Sequence, residues 1–139
     1  MIAIIADDHP LFRVALAQAS QQILGTDAVL LQANSMAQLW ALLLQHPDTE
    51  LIFLDLKLPD AEGFAGLTSL RTEYPDISIL MVSAIEDPAV IKQALQLGAL
   101  AYIPKSAPLD LLSEAVAQVV AGESWVPDEL VNEVENARD

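Results

Sequence analysis

The 139-residue chain contains no cysteine, which excludes disulfides, thiolate metal sites and cysteine nucleophiles. Basic residues are also scarce, because six Lys and Arg stand against twenty Asp and Glu and give a formal net charge of −14. Since phosphate contacts need Lys and Arg, this balance argues against nucleic-acid binding by this segment. It favours the binding of a cation wherever several carboxylates converge.

Long hydrophobic runs are missing as well, although 53% of the residues are apolar. No run approaches the roughly 18 apolar residues that a membrane-spanning helix needs, so no membrane contact is predicted. The apolar start lacks a basic segment and is cut short by Asp7 and Asp8, which is not typical of a secretion signal. We therefore expect a single cytoplasmic domain.

Short apolar runs alternate with segments of helical spacing along most of the chain. The predicted strands are 2–6, 28–33, 51–55, 77–83 and 99–103. The predicted helices cover about 10–24, 35–45, 64–73, 87–97 and 108–121. Such alternation implies an α/β domain, in which helices cover both faces of a parallel sheet and the crossovers are right-handed.

The tail, residues 123–139, is polar and acidic with few apolar positions. Trp125 is predicted to anchor it to the domain, while the rest is expected to form a short helix or a frayed linker. The predicted domain therefore covers residues 1–122.

Polar residues follow four of the five predicted strands: Asp7 and Asp8, then Asp55, Ser83 and Lys105. Each alone is typical of a cap or a surface position. In a parallel sheet, however, the carboxyl ends of the strands share one edge, where ligands of open α/β sheets bind. We therefore expect these five side chains to converge.

Converging carboxylates repel one another, and a hard divalent cation such as Mg²⁺ offsets that repulsion through oxygen ligands. Lys105 adds a fixed positive charge, and Ser83 adds a hydroxyl donor. Such a site can hold a phosphoryl group. Asp55 is the natural nucleophile, because an ionised carboxylate can form an acyl phosphate without a general base.

Four segments carry a family resemblance and keep their order over about residues 1–122: 7–10 (Asp-Asp-His-Pro), 54–59 with Gly63, 82–84 and 98–105. Together they resemble the receiver domains of bacterial two-component response regulators. The first segment and residues 121–127 resemble the NarL/FixJ-type (LuxR-family) subfamily. The resemblance implies a flavodoxin-like sheet with strand order 2-1-3-4-5.

The resemblance also implies the chemistry of phosphorylation. Asp55 would take a phosphoryl group from a sensor histidine kinase, and Lys105 and Ser83 would contact the phosphoryl oxygens. Tyr102 would be the aromatic switch that turns inward when Ser83 moves toward the phosphate. A receiver catalyses its own phosphorylation and slow dephosphorylation, so whether it counts as an enzyme is a matter of definition.

For the cofactor, the resemblance implies Mg²⁺ bound by Asp8, Asp55 and the backbone carbonyl of Lys57, with Asp7 assisting through a water. His9 follows the acidic pair and could itself be a metal ligand or a base. The sequence favours a simpler role for His9, in shaping the loop into the first helix.

Other functions compete with this interpretation. A phosphatase with an aspartyl-phosphate intermediate pairs its nucleophile with an acid two residues later, where this chain has Lys57. A flavin protein needs a phosphate loop rich in Gly, Ser and Thr after the first strand, and none is present. A pseudo-receiver, which binds partners without phosphorylation, is the main alternative.

The subfamily usually carries a C-terminal helix-turn-helix domain, so we expect transcriptional control and DNA contact through an output domain absent from this chain. The tail would then begin a linker in a truncated chain, and a stand-alone receiver is the alternative. Residues 39–44 make the second helix apolar on all sides, which predicts an exposed apolar patch. Ala115, Ala117 and Ala121 likewise make part of the fifth helix small and smooth, and a homodimer through such a helix face is a hypothesis.

Overall fold

The computed structural model describes residues 1–137, and its five strands form one parallel sheet in the order β2-β1-β3-β4-β5. The strands are β1 (Ile2–Ala6), β2 (Val29–Ala33), β3 (Leu51–Asp55), β4 (Ser78–Ser83) and β5 (Ala101–Pro104). The predicted flavodoxin-like α/β class and strand order are confirmed. The chain changes direction across the sheet between β1 and β3, and such a switch point opens a crevice at the carboxyl ends of the strands.

Helices cover both faces of the sheet: α1 (Pro10–Leu24) and α5 (Leu109–Val120) on one, α2 (Met36–Gln45), α3 (Ala65–Glu73) and α4 (Pro88–Gln96) on the other. Two helices begin at residues whose side chains cap them. Ser35 Oγ accepts a hydrogen bond from the amide of Gln38, and Asp87 Oδ1 accepts one from the amide of Ala89.

The central strand β3 is buried along its whole length, as a strand with helices on both faces must be. Its side chains alternate between two core layers. Phe53 packs with the residues beneath α1 and α5, while Ile52 and Leu54 pack on the side of α2, α3 and α4. The rigid middle of the sheet therefore fixes the position of Asp55 at its end.

The predicted bounds of β5 were wrong by about two residues, since the strand begins at Ala101 and not at residue 99. The preceding residues close the end of α4 instead, where the amide of Ala99 donates to the carbonyl of Ala94. At its other end, β5 includes Pro104, which an edge strand tolerates because one side needs no amide donor.

The tail folds back onto the domain. Trp125 is buried as predicted, and its amide donates to the carbonyl of Leu100. A 3₁₀ turn (Asp128–Leu130) follows, and a short helix, α6 (Val131–Asn136), then lies against α4. Val134 is only 4% exposed there. The described part of the tail is therefore a packed helix and not a frayed linker, while residues 138–139 lie outside the described residues.

Lys92 of α4 fixes the end of α6. Its Nζ donates to the backbone carbonyl oxygens of Ala137 at 2.7 Å and of Glu135 at 3.4 Å. A lysine at this place also compensates the partial negative charge of the helix C-terminus. The burial of Val134 and the charge of Lys92 thus both stabilise the contact between α6 and α4.

Part of the apolar stretch on α2 is exposed as expected, since Leu44 is 79% exposed, whereas Leu39 and Leu43 are fully buried. Next to Leu44, the rings of Trp40 and Tyr74 pack with their centroids 6.0 Å apart. No helix in the described part of the chain is long and apolar enough to span a bilayer. All peptide bonds within residues 1–137 are trans, including the bond between Lys105 and Ser106.

Candidate functional site

Two of the three carboxylates are held inside the crevice at the carboxyl ends of β1 and β3. The side chains of Asp7 and Asp55 are buried, with residue exposures of 1% and 4%. Both backbone groups of Asp7 are hydrogen-bonded. Its amide donates to the carbonyl of Ala33 at 2.9 Å, and its carbonyl accepts from Arg13 Nη1 at 2.8 Å. Asp8 is exposed at the rim.

Lys105 reaches the same crevice from the end of β5. Its Nζ lies 3.0 Å from Asp7 Oδ2 and 3.4 Å from Asp55 Oδ2. The ammonium also lies 4.7 Å from the centroid of the Phe12 ring, a cation–π distance. The backbone before it is pinned, because the amide of Lys105 donates to the carbonyl of Ser83 at 2.8 Å. The ammonium is therefore aimed at the buried carboxylates.

The charge state of Asp55 reflects competing effects. Burial raises the pKa of its carboxyl above the usual range, and the nearby charge of Asp7 raises the pKa further. Two donors lower the pKa of Asp55: the Lys57 amide, which lies 3.1 Å from Asp55 Oδ1, and the Lys105 ammonium. Burial has the largest effect and the net shift is upward, so the ionised site is short of positive charge.

The residues present suit a divalent cation. Ligand atoms of Asp7, Asp8, His9 and Asp55 all lie within 4.8 Å of one another. Asp7 Oδ2 is fully buried yet accepts no hydrogen bond within the described residues, so the Lys105 ammonium at 3.0 Å is an ion pair only. A buried carboxylate oxygen in this state has capacity for a cation, and carboxylates are the ligands that Mg²⁺ prefers.

Ser83 and Tyr102 lie beside this cluster and converge on one residue of the loop after β4. Ser83 Oγ accepts from the Ile85 amide at 3.0 Å, and the Tyr102 hydroxyl donates to the Ile85 carbonyl at 2.8 Å. Tyr102 is fully buried, which raises the pKa of its hydroxyl and keeps it a donor. The ring therefore points inward, and the two hydroxyls together fix the loop that leads into α4.

The structure brings together four of the five side chains that were expected to converge, Asp7, Asp8, Asp55 and Lys105, whereas the Ser83 hydroxyl accepts a hydrogen bond from the Ile85 amide. Lys57 contributes its backbone amide to Asp55, and its side chain is exposed. Sequence reasoning missed Arg13, which contacts Asp7, and Phe12, which contacts Lys105, because only these spatial neighbours make the two residues significant. A further carboxylate, Asp60, caps the start of α2. Asp60 accepts from the amides of Met36 and Ala37 at 2.7 and 2.9 Å, and these bonds lower the pKa of its carboxyl.

The family model of the response regulator receiver domain matches residues 3–117. Together with the sheet order and the acidic crevice, this match shows that the chain belongs to the response regulator receiver domains.

Two curated proteins with similar sequences are regulators as well. The glycerol metabolism activator of Pseudomonas putida is 38% identical over 128 residues, which cover 92% of this chain and 58% of that protein. The probable transcriptional regulatory protein NarL of Mycobacterium tuberculosis is 31% identical over 129 residues, with the same coverage of 92% and 58%. The chain thus spans less than two thirds of the length of either relative.

Among solved structures, the RcsB response regulator of Salmonella typhimurium has a TM-score of 0.87 at 22% identity, covering 99% of this chain and 71% of that one. This likeness concerns the fold. The presence of NarL among the relatives agrees with the predicted NarL/FixJ-type subfamily.

Proposed function

We propose that the chain is a cytoplasmic phosphoacceptor switch in which Asp55 takes a phosphoryl group from a sensor histidine kinase. One observation carries this proposal. A buried carboxylate at the switch point of the sheet is held between a backbone amide and an ammonium, with Lys57 N at 3.1 Å and Lys105 Nζ at 3.4 Å. This arrangement leaves a nucleophilic oxygen beside fixed positive charge.

In the proposed reaction, a carboxylate oxygen of Asp55 attacks the phosphorus of a phosphohistidine. The new O–P bond forms as the P–N bond breaks, and the leaving imidazole nitrogen keeps the electron pair and takes a proton from water. Lys105 offsets the negative charge on the phosphoryl oxygens during transfer. A bound Mg²⁺ would be held by Asp8, Asp55 and the Lys57 carbonyl, with Asp7 assisting through a water, and would neutralise further charge on those oxygens.

The proposed switch begins with Ser83. If its hydroxyl turns toward a phosphoryl oxygen, the Ile85 amide loses its acceptor at 3.0 Å. Tyr102 then holds the Ile85 carbonyl alone, so the loop into α4 can take a second position. A phosphoryl group on Asp55 would in this way bias the position of α4.

We also propose that the switch controls transcription through a DNA-binding domain outside this chain. This proposal has support from the relatives, which are named as an activator and as a transcriptional regulatory protein. RcsB, which shares the fold, has been solved as dimers bound to DNA.

The first test is the intact mass of the protein after incubation with acetyl phosphate and Mg²⁺. Wild type should gain one phosphoryl group, and Asp55→Asn should gain none. Asp76→Asn removes an exposed carboxylate in a distant turn and should behave as wild type. No gain in wild type, even with a range of histidine kinases as donors, would favour the pseudo-receiver and refute the proposed chemistry.

A homodimer through the face formed by α1 and α5 is the second part of the proposal. Large apolar side chains are exposed on these two helices, with Leu11 at 90% and Leu109 at 54%, and Leu109 also lines a groove between them. Light scattering with beryllofluoride as a phosphoryl mimic should show a dimer that Leu11→Asp abolishes. The matched variant Leu44→Asp on α2 should remain dimeric, and the reverse result would place the interface on α2.

A further inference from the structure

Arg13, in the first turn of α1, links three parts of the fold beside the acidic crevice. Its Nη1 donates to the carbonyl of Asp7 at 2.8 Å, and its Nε donates to Gln32 Oε1 at 3.1 Å. Gln32 lies near the carboxyl end of the edge strand β2, opposite Ile5 of β1. The guanidinium thus joins α1, β2 and the loop that carries the neighbouring carboxylates of Asp7 and Asp8.

These two carboxylates are held in different ways. Asp7 Oδ1 accepts from the amide of His9 at 2.8 Å, and Asp7 Oδ2 lies 3.0 Å from Lys105 Nζ. The Asp8 side chain is 36% exposed, and its one basic contact among the residues that the structure describes is His9 Nδ1 at 3.3 Å. The direction of the Asp8 side chain therefore depends mainly on the backbone that precedes it.

Arg13 fixes that backbone at the peptide group between Asp7 and Asp8. Because a peptide group is planar, the direction of the Asp7 carbonyl also sets the direction of the Asp8 amide and restricts where the Asp8 side chain can point. The amide of Asp7 is already held by the carbonyl of Ala33 at 2.9 Å. A planar guanidinium suits the remaining carbonyl, since its rigid fork donates to this oxygen and to a second acceptor at once.

We propose that Arg13 is a positioning residue for the cation site, which fixes the peptide before Asp8 and thereby places the Asp8 carboxylate to bind Mg²⁺. The inference rests on the proposed function, in which Asp8 is a ligand of that ion. Groups behind metal ligands commonly act in this way, by orienting the ligand. The charge of Arg13 acts in the opposite direction, because a guanidinium near the carboxylates repels a cation. A positioning effect and a charge effect therefore differ in sign.

The test is Mg²⁺ binding, measured by calorimetry on wild type, Arg13→Gln and Arg71→Gln. Arg71 is the matched control, because its Nη1 also donates to backbone carbonyls, those of Pro75 and Ile77, just before β4 begins. Arg13→Gln should bind Mg²⁺ at least roughly tenfold more weakly, the smallest loss typical of removing a supporting group around a metal. Arg71→Gln removes the same charge at the opposite edge of the sheet and should match wild type. Urea unfolding checks that both variants are folded.

Gln32→Ala tests the link without touching either carboxylate, because Gln32 is exposed and reaches the loop through Arg13 Nε. It should weaken Mg²⁺ binding in the wild-type background, by less than Arg13→Gln does. In the Arg13→Gln background it should have no further effect, since the interaction that it removes is already lost. Additive losses in the double variant would show that Gln32 does not act through Arg13 and would contradict the proposed link.

Phosphoryl transfer from acetyl phosphate gives a second measurement. In Arg13→Gln the Mg²⁺ concentration for the half-maximal rate should rise by the same factor as the dissociation constant, while the rate at saturating Mg²⁺ stays near that of wild type. Unchanged or tighter Mg²⁺ binding in Arg13→Gln, or an equal loss in Arg71→Gln, would overturn the inference, and so would a wild type that binds no Mg²⁺. A wild type that binds Mg²⁺ but gains no phosphoryl group would refute the proposed function alone, since the calorimetry involves no phosphoryl donor.

Discussion

Replacement of Lys105 by methionine should slow phosphoryl transfer from acetyl phosphate to Asp55 by roughly 100-fold, as expected when one preorganised charge-stabilising donor is removed. The ammonium lies 3.4 Å from the Asp55 carboxylate and is the positive side chain aimed at the transferring group. Methionine keeps the length and apolar character of the stem, so packing against Phe12 should survive. The rate is measured as the increase in phosphorylated mass with time.

The same variant should bind Mg²⁺ at least as tightly as wild type, because Lys105 Nζ lies 3.0 Å from Asp7 Oδ2 and competes with a cation for that oxygen. Calorimetry therefore separates the two effects, slower transfer with undiminished binding. Lys57→Met is the matched control, since it removes the same charge from an exposed side chain two residues after Asp55. If Lys105→Met and Lys57→Met slow phosphoryl transfer equally, the loss of net positive charge explains the slower rate, and the placement of Lys105 beside Asp55 does not.

Asp55→Asn should stabilise the fold by roughly 1–3 kcal/mol at neutral pH without metal, within the range seen when a poorly compensated buried charge is removed. The reason is the upward shift in the pKa of Asp55, which has burial as its largest cause and the charge of Asp7 as another. The amide of asparagine keeps the size of the side chain and carries no charge. Urea unfolding of both proteins in EDTA measures the difference.

The pH dependence of that difference has a definite sign. Because the folded chain holds the Asp55 proton more tightly than the unfolded chain, the stability that this carboxyl contributes is fully present below its ordinary pKa of 3.8. That contribution is lost as the pH rises through the higher pKa of the folded state. The advantage of Asp55→Asn should therefore be largest near neutral pH and shrink toward pH 4. A constant advantage, or an equal one in Asp76→Asn, would contradict this explanation.

The convergence of Asp7, Asp8, Asp55 and Lys105 could be predicted from the sequence because one rule determines it. Parallel strands place their carboxyl ends at one edge, so a polar residue after each apolar run identifies the site without any side-chain coordinates. The strand order was beyond such reasoning and came from the family resemblance. The orientation of His9 was not predictable, because the Asp7 carboxylate that holds its amide is placed by the chain fold.

The tail shows the opposite case. Its few apolar positions gave no clear helical stripe, and the sequence left a short helix and a frayed linker equally open. Val134 is buried because α4 happens to lie beside it, and Lys92 reaches the last carbonyls from a position over forty residues earlier. Tertiary contacts of this kind decide short helices, whose intrinsic stability in water is small.

This packing of α6 on α4 also determines what a partner protein meets at that face. The segment behaves as a tethered ligand, present at an effective concentration on the order of millimolar because a short stretch of chain connects it to its own binding site. A partner that binds the face around Lys92 must displace α6. The apparent affinity of that partner is reduced in proportion to the fraction of molecules in which the face is uncovered. A shift of α4 that loosens this contact would strengthen the binding of such a partner without adding any new contact to it.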